Sequence, residues 1–117
     1  MLQEIKARRS IRKFTSDEID DHTVNQIVEM GTWAPSGLNN QPWKFVITRD
    51  LDLKKRISLQ TKYSHIIQGA PVCVAVLLDH SQSYDRVKDI QATGACIQNM
   101  LLTIHHLGLG GVGWGRF

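Results

Sequence analysis

Residues 72–78 read Val-Cys-Val-Ala-Val-Leu-Leu, an apolar run with none of the polar alternation that a strand facing water on one side would show. Such a run predicts a β-strand covered on both faces, which requires packed layers on either side of a sheet. The remaining segments supply mostly helical patterns. Together they predict an α+β fold in which a central buried sheet is layered between helices.

The order of elements follows from local signals. Residues 2–8 suit a short helix, and Arg9 to Phe14 alternates as an extended segment does. Asp20 is a fitting N-cap for a helix whose buried face is Val24, Ile27, Val28 and Gly31, at the i, i+3, i+4, i+7 spacing. Gly31 in that stripe would admit a close backbone neighbour, and Pro35 limits the helix at Trp33. Trp43 to Thr48 is β-rich, Asp50 or Asp52 can cap a helix to about Gln60, and Tyr63 to Gln68 suits another short helix. From Asp85 to His106 the recurrence of Ile90, Thr93, Gly94, Ile97, Leu101 and Ile104 predicts a long helix, with Gly108 as its left-handed cap. A glycine-dense stretch, Gly110 to Gly115, follows.

At 117 residues and 42% hydrophobic, the chain is sized for one domain with a modest core. No apolar run is long enough to span a bilayer and the first residues lack the order of a secretory signal, so the expected location is the cytoplasm, with no membrane partner. The net charge of +3 is unevenly placed: Lys6, Arg8, Arg9, Arg12 and Lys13 face only Glu4 within residues 1–13. Beyond residue 13, acidic residues slightly outnumber basic ones. That pattern predicts one local anion site, better matched to a phosphate monoester than to nucleic acid. Cys73 and Cys96 have no CxxC spacing and are expected to be buried reduced thiols.

Two segments carry chemistry. Arg8-Arg9-Ser10-Ile11-Arg12 offers guanidinium forks and a hydroxyl within five residues, suited to charge-assisted bonds with a phosphate. Taken alone, it is equally a solvated basic arm. Ala34-Pro35-Ser36-Gly37-Leu38-Asn39-Asn40-Gln41-Pro42-Trp43 links a helix to a strand with more polar side chains than a turn needs. Ser36 and Asn39 can bond the edge of a heteroaromatic ring, Gly37 leaves room for a flat ligand, and Pro42 holds Gln41 extended.

Together these segments resemble the RxSxR-type and PSxxNxQPW-type motifs of the nitroreductase family of FMN-dependent oxidoreductases, in the family's order and separation. The resemblance covers nearly the whole chain. It implies a layered α/β/α sandwich with a central, mostly antiparallel sheet, assembled as a homodimer whose FMN sites are shared across the interface. In it, Arg8, Arg9, Ser10 and Arg12 hold the flavin phosphate, while Pro35, Ser36, Gly37, Asn39 and Gln41 approach the isoalloxazine, commonly from the other subunit. Gly113-Trp114-Gly115-Arg116-Phe117 is similar to the family's WxGxF region, with one glycine displaced, so that the amide facing flavin N5 is that of Gly115 or of Arg116. Family members usually continue with a further helix and strand, which a single domain over residues 1–117 would lack.

The implied activity transfers electrons from NADH or NADPH through flavin N5 to a nitroaromatic, a quinone or another electron-poor small molecule. The flavin carries the redox chemistry, so no catalytic side chain is expected. Two alternatives belong to other classes: a flavin-binding or sensing protein without turnover, and an anion- or nucleic-acid-binding module built on Arg8 to Lys13, whose affinity would fall steeply with salt. Other constellations carry less. His105 and His106 diverge on a helix without a metal-binding partner pattern, no GxGxxG joins a strand to a helix, no GxSxG occurs, and Asp20, Asp21 and His22 are explained as helix-start residues.

Overall fold

The computed structural model describes residues 1–113. Five α-helices are present there: α1 (Leu2–Ala7), α2 (Asp21–Thr32), α3 (Leu51–Ser58), α4 (Ser64–Gly69) and α5 (Arg86–His106). Two strands, β1 (Trp43–Thr48) and β2 (Cys73–Leu78), and two 3-10 turns at Gly37–Asn39 and His80–Gln82 complete the set. Three helices begin at an aspartate that accepts a bond from an otherwise unpartnered first-turn amide: Asp20 from Thr23 at 2.7 Å, Asp50 from Leu53 at 2.8 Å and Asp85 from Lys88 at 3.0 Å. Asp50, rather than Asp52, is therefore the cap of α3, which ends at Ser58, ahead of the expected Gln60. Leu107 closes α5 and Gly108 follows at φ 76°, the left-handed geometry that the sequence predicts.

β1 and β2 pair antiparallel, from Trp43 opposite Leu78 to Thr48 opposite Cys73. Trp43, Phe45, Val74 and Val76 pack into a core made with Ile27 of α2 and Ala92, Cys96 and Met100 of α5. The expectation that β2 is covered on both faces needs correction. Leu77, and Val46 opposite Ala75, stand about half exposed on the second face, because α3 and α4 pack chiefly on one another.

α2 and α5 form the main helix pair. The buried stripe of α2 is as predicted, with Val24, Ile27 and Gly31 inside. That of α5 is not: the core side is Asp89, Ala92, Cys96 and Met100, a face adjacent to the one expected, while Ile90 is about half exposed and a Cβ on Gly94 would meet nothing within 4 Å. The physical reason lies in Gly31, which brings α2 so near that α5 presents its compact and flexible side chains there. The bulkier branched residues turn to the flank.

Candidate functional site

The basic segment lies at the end of α5. After α1 the chain runs extended, Ser10 bridges Gly111 in parallel, and Ile11 N–H donates to Gly111 O at 3.0 Å. Gly110 is needed for this approach, since a Cβ there would stand 2.8 Å from Ile11 Cγ2. His106 Nδ1 lies 3.0 Å from Glu4 Oε1, which fastens α1 to the last turn of α5. The Met1 ammonium, 2.7 Å from the other Glu4 oxygen, and His106 together pull the Glu4 pKa down to about 2.

A cavity of about 200 Å³ opens between Arg8, Arg9 and Ile11 on one side and Leu101, Ile104 and His105 on the other. Arg8 Nε is buried and has no hydrogen-bond partner among the described residues. A buried guanidinium donor left over in this way is costly unless something accepts from it. Arg9 is partly engaged already, its Nη1 donating to the Lys6 and Arg8 carbonyls at 3.0 Å. Ser10 and Arg12 are exposed beside this cavity rather than within it.

The polar loop 35–41 is closed on itself. Ser36 Oγ accepts from Gln41 N–H at 3.1 Å, Ser36 O accepts from Asn39 N–H, and Gly37 O accepts from Asn40 N–H. Leu38, Asn39 and Gln41 have φ of 53°, 53° and 49°, so Gln41 is left-handed and not extended as its place before Pro42 predicts, the Ser36 Oγ bond to its N–H holding the turn against that preference. Left-handed backbone costs roughly 1–2 kcal/mol for a residue with a side chain, so something outside must hold the loop. Tyr84 supplies one support, and it corrects the expectation that Gly37 leaves room for a flat ligand: its Cδ1 lies 2.5 Å from where a Cβ on Gly37 would be, so the tyrosine ring already takes that space and a side chain there would have to displace it.

Asp89 supplies another. Only 3% exposed, it accepts from Asn40 Nδ2 at 2.8 Å, from Ser83 Oγ at 2.8 Å and from Tyr84 N–H at 3.2 Å. Asn40 Nδ2 also donates to Gln82 O at 2.8 Å. The Asn40 bond, ahead of the others, holds the Asp89 carboxyl below the usual range against the opposing effect of burial. Asp89, Tyr84 and Asn40 went unnoticed in the sequence. The usable signal was a carboxylate within the i, i+3, i+7, i+11 series that continues as Ala92, Cys96 and Met100.

The structure therefore brings the residues of each motif together, but not the two motifs. Asp89 belongs to the first turns of α5 and His105 to its last, roughly 24 Å apart at about 1.5 Å per residue. Pro35, Ser36, Gly37, Asn39 and Gln41 gather at one end, and Arg8, Arg9, Ser10 and Arg12 at the other. Trp114, Gly115 and Arg116 lie outside the described residues.

With this geometry in view, the comparisons with known proteins are direct. The model of the nitroreductase family matches residues 5–60 and 55–117, and the chain belongs to that family. A protein of Methanothermobacter thermautotrophicus, provisionally named an NADH dehydrogenase/NAD(P)H nitroreductase, is 32% identical over 117 residues, which is 100% of this chain and 61% of that protein. Among solved structures, a provisionally named nitroreductase from Desulfovibrio desulfuricans in complex with FMN is 50% identical with a TM-score of 0.89, over 93% of this chain and 64% of that one. The NADPH:FMN oxidoreductase of Vibrio harveyi, solved with NAD+, is 25% identical with a TM-score of 0.87, over 95% of this chain and 54% of that one. The chain thus spans somewhat over half to two thirds of the length of these relatives.

Proposed function

We propose that this chain is the FMN-binding part of an NAD(P)H-dependent oxidoreductase that acts as a homodimer on electron-poor small molecules such as nitroaromatics or quinones. The observation that carries the reading is the unpartnered Arg8 Nε at a cavity flanked by further cationic side chains. A phosphoryl group fits a cavity of about 200 Å³ and supplies the acceptor that Arg8 lacks. Arg8 would donate from within, while Arg9, Ser10 and Arg12 close over the phosphate from the exposed side.

The ring then needs a second surface. The loop 35–41 of the same subunit sits at the far end of α5, so a second copy is the natural source of the ring-edge groups of Ser36, Asn39 and Gln41. Exposed apolar residues around that loop favour such a contact: Trp33 is 75% exposed and Leu38 is 80% exposed, with Val87 and Ile90 exposed on the neighbouring turns of α5. The half-exposed second face of β2 offers a surface for a further layer, in keeping with a layered sandwich. Bound FMN would supply the redox chemistry that links NADH or NADPH to the acceptor through its N5. The protein's part is to grip the phosphate, orient the ring and expose one face of it. The Gly115 or Arg116 amide remains the proposed neighbour of N5.

No helix among the described residues is long and apolar enough to cross a membrane, and a cytoplasmic location is part of the same proposal. The test is the visible spectrum of the purified protein after incubation with FMN, followed by anaerobic NADPH. A yellow protein that bleaches and then reduces a quinone supports the reading. A yellow protein that never bleaches marks a flavin binder without turnover, and a colourless one overturns the assignment.

A further inference from the structure

We infer that Asp89 is a positioning residue for the loop 36–41: its buried carboxylate, through Asn40, holds the loop in the left-handed form in which Asn39 stands exposed. The part of this inference that concerns the flavin ring rests on the function proposed above; the part that concerns the loop does not.

Three features lead to it. The loop carries three residues with side chains at φ near 50°, and its internal bonds run within its own backbone and from the Gln41 N–H to Ser36 Oγ. Those bonds close the loop without fixing it to the rest of the molecule. The Asn40 amide provides the anchorage, because its two N–H groups both have acceptors, Asp89 Oδ1 and Gln82 O, and this sets the direction of the amide unambiguously. Finally, Asp89 Oδ2 is shared by Ser83 and Tyr84, and the Tyr84 ring fills the space beside Gly37. One carboxylate therefore fixes both walls of the loop, the amide on one side and the aromatic ring on the other. Asn40 Oδ1 is buried and lacks a partner among the described residues, where the amide side chain is held by its two donors.

The experiment compares wild type, Asp89→Asn and Asn40→Ala by backbone amide hydrogen exchange in the purified full chain without added flavin. Asn40→Ala leaves the sequence of α5 unchanged and removes the amide's two bonds, to Asp89 and to Gln82 O, which keeps the test decisive where Asp89→Asn fails to fold. The expected result is exchange at least ten-fold faster at Asn39, Asn40 and Gln41, with the amides of α2 and the second half of α5 unchanged. Unchanged loop exchange, or acceleration everywhere alike, overturns the inference. FMN is then added to the wild type and to Asn40→Ala, and the flavin absorption maximum and midpoint potential are read. A shift in Asn40→Ala at unchanged flavin content supports the ring-positioning role, and an identical spectrum and potential overturn it. Selective loosening of the loop in a wild type that binds no FMN leaves the Asp89 anchor standing and removes the proposed function instead.

Discussion

Gly31 of α2 meets Met100 of α5 with no room between them: a Cβ on Gly31 would lie 2.7 Å from Met100 Cγ and 2.9 Å from Cys96 Sγ. An alanine there gains up to about 1 kcal/mol of helix propensity but must displace two buried side chains, at roughly 1–3 kcal/mol. Cys96 is 0% exposed and has nowhere to move, so the clash wins. Gly31→Ala is expected to lower the urea midpoint, and Gly31→Val to lower it further. A Gly31→Ala protein as stable as wild type would show that the helices separate at no cost.

The loop strain gives the opposite sign at Leu38. Its side chain is 80% exposed, so removing it forfeits little burial, while its φ of 53° is a conformation that glycine adopts freely. The left-handed cost of roughly 1–2 kcal/mol exceeds the roughly 0.5–1 kcal/mol of extra chain entropy that glycine loses on folding. In the single subunit, at concentrations too low for the proposed dimer contact to cover Leu38, Leu38→Gly should therefore raise the melting temperature by a few degrees. A lowered value would mean that Leu38 is packed.

Acid sensitivity follows from Glu4. Its folded pKa of about 2 lies below the ordinary 4.5, so the folded state favours the ionised form. The stabilisation is complete above the ordinary value and fades as pH falls towards the folded one. Glu4→Gln should be less stable than wild type at neutral pH, and the gap in urea midpoint should close as both proteins are acidified from pH 4.5 to about 2. A gap independent of pH would assign the effect to packing.

Burial raises the pKa of both thiols, that of Cys96 to about 11. Neither presents a thiolate at neutral pH. Iodoacetamide is expected to leave both cysteines unmodified in the folded protein and to label both in urea, as read by mass spectrometry. Rapid labelling of Cys96 without denaturant would contradict the core described above.

The phosphate assignment predicts a distinction between the two ends of α5. Arg8→Ala or Arg12→Ala should lower FMN affinity by roughly 10–100-fold, the worth of a charge-assisted bond, while the melting temperature of the flavin-free protein moves little. Asn39→Ala should alter the flavin spectrum with affinity largely kept. Mixing Arg12→Ala with Asn39→Ala subunits should form hybrid dimers in which one site is intact. Failure of any such mixture to recover the wild-type flavin spectrum would remove the shared site.

What the sequence determined by itself was local. The Asp20 cap, the Val24–Ile27–Gly31 face, both strands, the span of α5 and the turn at Gly108 each depend on neighbours within a few residues, where capping, periodicity and glycine geometry act. The two motifs were legible for the same reason, each being a compact chemical group in one stretch of chain. Tertiary structure decided everything that depends on which surfaces meet. Only contact with Gly31 turned Cys96 and Met100 inward in place of Ile97 and Leu101, since close helix approach selects small or pliable side chains over the most hydrophobic ones. Only the fold put a carboxylate from α5 against Asn40, and only the length of α5 set the basic segment and the polar loop at its opposite ends, where a long rigid rod keeps them apart.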